Sequence, residues 1–154
     1  MNLFPIIVGP ILASLLLHSQ IEYNNGWRGL KALESTKEQV EKLLGAPNNG
    51  PEGAYSLEEA TINFTYSSGH CKENWNVPKD TVIRIVVSLK KNRPKLSDLN
   101  LSLSKYKMRV DRELPDVRYY TKLSDGVTLV VIGDEVKQVL YYPSENNENL
   151  KCNK

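Results

Sequence analysis

The side chains that could carry out chemistry are few, and two of them, His70 and Cys71, lie in one irregular stretch, residues 67–80. The chain has two histidines, His18 and His70, and two cysteines, Cys71 and Cys152. A hydrolytic or transfer site needs a nucleophile with a base, a pair of carboxylates or a metal, held in a pocket. His18 falls in the predicted N-terminal export segment, so a Ser-His-Asp or Cys-His site would have to use His70.

The cysteines favour a disulfide over a metal site. His70 and Cys71 are sequence neighbours, and no second pair completes a ligand set. In an exported chain, an even cysteine count favours one bond between Cys71 and Cys152, which lie 81 positions apart. Two free thiols are the alternative.

Catalytic motifs do not support an enzyme. The sequence has no Gly-x-Ser-x-Gly turn, no P-loop and no dinucleotide-binding fingerprint. Its carboxylates fall mostly at predicted turns, where Asp has a local hydrogen-bonding role; they are Asp111, Glu113, Asp116, Asp125 and Asp134. We therefore predict no catalytic residues, no cofactor and no metal.

The irregular stretch at residues 67–78 is the predicted binding surface, because loops on rigid scaffolds often carry specificity. It contains His70 and Trp75. Tyr120 and Tyr142 are further candidates, since each belongs to a pair of tyrosines near a strand end and outward tyrosines are common at interfaces. The alternative is structural: Cys71 pins the loop and Trp75 packs over the edge of a sheet.

The N-terminus indicates export. The run from Phe4 to Leu17 is apolar and uncharged, but it is short for a membrane span. We interpret residues 1–20 as a signal peptide, with an uncleaved anchor as the alternative, and predict a periplasmic or extracellular location. No other membrane span is expected.

The charge balance argues against a nucleic-acid partner. Lys and Arg number 20 and Asp and Glu 18, which gives a formal net charge of +2. One basic cluster, residues 90–95, follows a predicted strand; it is interpreted as a solvated connection, or else as a contact for an anion or phospholipid.

A short helix is predicted within residues 35–47. Ser35 and Glu38 fit a capping box, Gly45 fits the left-handed residue after the last turn, and Pro47 prevents the helix from resuming. Its apolar stripe, Val40, Leu43 and Leu44, should pack on strands that follow.

Alternating and β-branched segments predict an antiparallel sheet. A hairpin is expected at 54–66, a central strand at 81–89 and a three-stranded meander at 117–143, whereas 96–108 fits either helix or strand. The fold class is therefore α+β, with a short helix on an antiparallel sheet. We predict that residues 21–154 form one domain, and a repeated strand pattern favours two related half-modules within it, at about 30–90 and 96–143.

The segment from Ser35 to Pro47 resembles the small-x-x-x-Val-x-x-Leu-Leu-Gly-x-Pro helix of the BamE (SmpA/OmlA) family and of related β-lactamase-inhibitor-protein-like modules. The resemblance implies a small exported α+β module that binds other proteins. The chain has no lipid-anchor cysteine near residue 20, unlike BamE lipoproteins. Residues 67–78 also resemble uncharacterised secreted proteins of soil bacteria.

From these patterns we predict an exported, non-catalytic module that binds an envelope or extracellular protein. The alternative is a small secreted hydrolase or sugar-binding protein that uses the loop at residues 67–78. A concave pocket beside Trp75 would bear on this choice.

Overall fold

The computed structural model describes residues 23, 25–47 and 52–152. The predicted signal peptide and His18 lie outside the described residues.

Seven antiparallel strands form a single sheet in the described part of the chain. Their order across the sheet is β1-β2-β3-β7-β6-β5-β4. The strands are β1 (Ala54–Ser56), β2 (Ala60–Tyr66), β3 (Val82–Leu89), β4 (Lys107–Val110), β5 (Val117–Lys122), β6 (Val127–Ile132) and β7 (Glu135–Tyr141).

The predicted hairpin, central strand and meander are all present. β1 pairs with β2, β3 lies between β2 and β7, and β5, β6 and β7 follow one another in the sheet. The pairing of Val87 with Val139 joins the first half of the chain to the second. The two predicted halves therefore contribute strands to one continuous sheet.

The core lies on the inner face of this sheet. In register across it are Ile62, Val87, Val139 and Leu129, and none of these side chains is exposed to solvent. The same cluster includes residues outside the sheet: Trp27, Leu30, Val40 and Leu96. One buried cluster therefore joins residues of the sheet to residues of the N-terminal arm, the helix and the segment after β3.

Helix α1 (Lys37–Leu44) is present, but its cap lies one residue beyond the predicted one. Thr36, not Ser35, accepts the N–H of Gln39, and the Gln39 side chain accepts the N–H of Thr36 in return, at 3.0 Å. Ser35 is buried, and its hydroxyl accepts the N–H of Lys31 at 3.0 Å. The Ser35–Glu38 capping box was wrong.

The apolar stripe of α1 is narrower than predicted. Val40 is fully buried and Leu44 is half-buried, but Leu43 is 48% exposed. Gly45 follows the helix with φ 81° and donates its N–H to Glu41, as expected of a residue that ends a helix. A helix of two turns has room for few inward positions, and Val40 holds the central one.

The ambiguous segment at 96–108 contains both kinds of structure. Short 3-10 turns occupy Leu96–Leu99 and Leu103–Lys105, and β4 begins at Lys107. The two turns of the meander differ from each other. The β6–β7 turn is the Gly133-Asp134 pair, whereas the β5–β6 connection contains a 3-10 turn at Leu123–Asp125 followed by Gly126.

Candidate functional site

The irregular segment at 67–80 connects β2 to β3 and is joined covalently to the C-terminal segment. Cys71 and Cys152 form a disulfide with their Cα atoms 5.6 Å apart, which confirms the predicted bond. A disulfide is typical of proteins in an oxidising compartment, so the bond indicates a location outside the cytoplasm.

Backbone hydrogen bonds reinforce this connection. Trp75 and Lys151 form an antiparallel bridge. On either side of it, the N–H of Asn76 donates to Leu150 at 2.7 Å and the N–H of Cys152 donates to Asn74 at 3.0 Å. The two segments therefore pair like a short two-stranded ribbon beside the disulfide.

The start of the loop is organised around the Glu73 carboxylate. It accepts the backbone N–H of Ser68 at 3.1 Å and the hydroxyl of Ser67 at 3.3 Å. Hydrogen bonds from Ser68 lower the pKa of Glu73, because they favour the charged form. Ser67 is buried, and its hydroxyl also donates a hydrogen bond to the backbone carbonyl of Gly69, within the same loop. Glu73 is thus an ionised acceptor that holds the loop in shape.

An open pocket of about 390 Å³ lies where the two segments meet. Its lining combines an aromatic ring, a carboxylate, an amide, an ammonium and half of the disulfide, from Trp75, Glu73, Asn74, Lys151 and Cys152. Trp75 is half-buried, so part of its ring faces solvent. This volume is within the range of small-molecule sites, and its chemistry suits a ligand with both apolar and polar groups.

His70 lies in the same loop but does not line the pocket. It is exposed, and its Nδ1 is 2.9 Å from Oδ1 of Asn76. An amide oxygen at this distance can fix the tautomer and orientation of the ring. The geometry gives His70 a positioning partner within the loop.

The two predicted tyrosines lie elsewhere. Tyr120 packs against the core cluster on the inner face of the sheet. The hydroxyl of Tyr142 is hydrogen-bonded to that of Thr128 at 2.7 Å and donates to Val127 at 3.2 Å. The structure therefore brings Trp75 and the disulfide together, but neither tyrosine lines the pocket.

Glu73, Asn74 and Lys151 were missed as site residues. They lie within three positions of a cysteine, so the predicted disulfide contained the signal that could have found them. Bonding Cys71 to Cys152 necessarily brings the neighbours of each cysteine close to those of the other.

No protein-family model matches this chain, and no curated protein matches it. Among solved structures, it is similar to a DUF4309 family protein (YjgB) from Bacillus subtilis subsp. subtilis str. 168. The TM-score is 0.49 at 18% sequence identity, and the match covers 76% of this chain and 84% of that chain. A similarity of this extent carries no information on function.

Within the described residues, no helix is long and apolar enough to cross a membrane.

Proposed function

We propose that this chain is an exported, non-catalytic module of the cell envelope that binds another protein. The contact surface is the one around the pocket, here called the Trp75 surface: His70, Glu73, Asn74, Trp75 and Lys151. The observation that carries the proposal is a partly exposed tryptophan on a loop that is fixed at both ends. The resemblance of residues 35–47 to BamE-like modules agrees with this function.

Rigidity supports a binding role for the loop. Flexible loops lose conformational entropy when they bind, and this cost is reduced in a loop that is already ordered. Here the disulfide, the Trp75–Lys151 bridge and the Glu73 hydrogen bonds order the loop before any partner arrives. A tryptophan held in this way presents a large contact area at low entropic cost.

The scaffold behind this surface belongs to the same proposal. We infer that α1 packs on the inner face of the sheet through Val40, and that the two halves of the chain are related β-meanders. The disulfide supports export to the periplasm or the extracellular space, where such a bond persists.

A sugar-binding site is the second candidate, and the pocket itself favours it. An aromatic ring beside a carboxylate, an amide and an ammonium offers an apolar face together with donors and acceptors. An oligosaccharide uses both. A glycan array, followed by titration of the best glycan into wild type and Trp75→Ala, distinguishes this candidate from protein binding.

Site-specific photocrosslinking tests the main proposal. A photoreactive residue at exposed Asn74, with the same group at exposed Glu38 on α1 as control, is irradiated in envelope extract from the source organism. We expect a discrete protein adduct from position 74 and none from position 38. Adding Trp75→Ala should weaken the adduct at least tenfold, whereas Lys72→Ala, in the same loop but outside the pocket, should not.

Folding and turnover are measured on the same variants. An undiminished adduct in a cooperatively folded Trp75→Ala protein would overturn the proposal. If Trp75→Ala does not fold, Lys151→Glu tests the same surface from the other segment. His70→Ala should have little effect on the adduct; loss of a hydrolytic activity in that variant would support the hydrolase alternative instead.

A further inference from the structure

The edge strand β4 is the second surface of interest, and it lies away from the Trp75 surface. β4 is the last strand of the sheet and pairs only with β5 among the described residues. All four of its side chains are exposed, including Met108 at 52% and Val110 at 43%. The outward backbone groups of an edge strand can pair with another strand.

The hydrogen-bond pattern shows which backbone N–H and C=O groups of β4 face the open edge of the sheet. The N–H of Asp111 donates to Val117 at 2.9 Å, so the residue just after β4 points its backbone toward β5. Because backbone direction alternates along an antiparallel strand, Arg109 and Lys107 point the same way, and Met108 and Val110 point outward. The N–H and C=O groups of Met108 and Val110 therefore face the open edge.

The side chains divide into two rows of different chemistry. Met108 and Val110 lie on the inner face, since Met108 pairs with Tyr120, which packs against the core. Lys107 and Arg109 lie on the outer face. A new strand at this edge would meet apolar side chains on one face and positive charges on the other.

Among the described residues, neither Lys107 nor Arg109 forms a salt bridge, so both positive charges remain available to a partner. The Arg109 guanidinium lies 4.4 Å from the centre of the Tyr119 ring, which leaves it at the surface. The nearby Asp111 carboxylate accepts the N–H groups of Glu113 and Leu114 and the hydroxyl of Tyr119. It also interacts with the charge of Arg109, without forming a salt bridge.

The charges also argue against a second copy of this chain as the occupant. In an antiparallel pair of β4 strands that continues the sheet, residues on the outer face stay on that face. In the register that pairs Met108 with Met108 of the second copy, Lys107 would lie opposite Arg109 of that copy. Like charges in cross-strand contact are destabilising.

We propose that β4 binds an extended segment of a partner protein, with alternating acidic and apolar residues, as an eighth strand. The apolar residues lie opposite Met108 and Val110 and exchange backbone hydrogen bonds with them. The acidic residues lie on the outer face, next to Lys107 and Arg109. Backbone pairing supplies affinity, and the two rows of side chains supply specificity.

A synthetic peptide of alternating Val and Glu, seven residues long and capped at both ends, tests this proposal. We expect saturable binding by fluorescence anisotropy, together with slowed amide exchange at Met108 and Val110 in NMR spectra of the full chain. N-methylation of the valines should abolish binding, whereas N-methylation of the glutamates should not, because only the valine amides face β4. A peptide with Lys in place of Glu should bind at least tenfold more weakly.

Variants of the chain complete the test. Lys107→Glu with Arg109→Glu should weaken binding at least tenfold and remove its salt dependence, whereas Lys72→Glu, a charge reversal in the 67–80 loop, should not. Equal binding by the double variant, or no protection of the Met108 and Val110 amides, would overturn the proposal. Concentration-dependent protection without peptide would also overturn it, by identifying a second copy as the occupant. Failure here leaves the Trp75 surface untouched, because the crosslinking at Asn74 reads a different site.

Discussion

The backbones of Trp75 and Lys151 pair in an antiparallel bridge, and Lys151 immediately precedes the disulfide-bonded Cys152. The pairing places an aromatic ring from the middle of the chain beside a lysine from its C-terminal segment, and both line one pocket. The hydrogen bonds from Asn76 to Leu150 and from Cys152 to Asn74 lie on either side of it. The geometry of the pocket thus depends on joining two distant segments, and the disulfide is one of several contacts that join them.

The first prediction concerns that bond. Cys71→Ser with Cys152→Ser should lower the free energy of unfolding by about 4 kcal/mol, because the unfolded chain regains the freedom of a long closed loop. Urea unfolding measures the difference, and chemically reduced wild type is the control. A loss below about 1 kcal/mol in both would show that the bond hardly constrains the unfolded chain.

The second prediction compares two residues of α1. Val40→Ala should destabilise the protein by roughly 2 kcal/mol, because the side chain is fully buried and its loss leaves a cavity. Leu43→Ala should cost less than about 0.5 kcal/mol, because this leucine is half exposed. The two variants are compared by urea unfolding. Equal losses would contradict the burial pattern of the helix.

Local sequence signals predicted α1 well, and tertiary contacts decided what they could not. Gly45 marked the end of the helix correctly. At its start, Ser35 and Thr36 are both capable caps, and the choice depends on β3: the carbonyl of Ser35 accepts the N–H of Val82 at 2.8 Å. This bond fixes the backbone of Ser35 before the helix begins and leaves Thr36 to cap it.

For the candidate site, too, contacts between distant parts of the chain decided what residue types could not predict. Residue types were enough to predict the disulfide, because two cysteines allow one internal pair. They also singled out Trp75, which lines the pocket. They did not predict that Tyr120 packs against the core or that Tyr142 bonds to Thr128. Alternation alone does not say which face of a strand is covered. Lys151 lines the pocket because the disulfide joins the C-terminal segment to the loop.

The third prediction uses two glycines with similar backbone angles. Gly126 and Gly133 have φ of 60° and 63°. A Cβ at Gly133 would meet nothing within 4 Å, so Gly133→Ala should cost only the strain of the left-handed conformation, about 1 kcal/mol. A Cβ at Gly126 would clash with the carbonyl oxygen of Tyr142. Gly126→Ala should therefore cost several times more in thermal unfolding, and similar losses would contradict the close approach of these two backbones.

The fourth prediction is that acid weakens the hydrogen bonds of the Glu73 carboxylate in the loop. Because hydrogen bonds lower the pKa of Glu73 in the folded protein, its contribution to stability is present above the pKa of the unfolded residue. That contribution is lost as the pH falls through the lowered value. NMR titration should show the Ser68 amide signal moving with the Glu73 side chain, below the pH at which an ordinary Glu titrates.

Glu73→Gln is the matched control, because an amide oxygen can still accept the N–H of Ser68 but does not titrate. Its Ser68 signal should not move over this acid range. An identical titration of Ser68 in both proteins would show that another group is responsible.

The last prediction is a loss of stability in alkali. Burial raises the pKa of Tyr23 from 10.0 to about 12, and burial also raises that of Tyr66. A tyrosine kept neutral in the folded state contributes stability that is fully present below pH 10 and is lost as the pH rises toward 12. Urea unfolding from pH 9 to 12 should therefore show a falling free energy, and Tyr23→Phe should show a smaller fall. Ultraviolet difference spectra should place ionisation of these half-buried tyrosines above that of exposed ones; a single transition near pH 10 would contradict the partial burial of both rings.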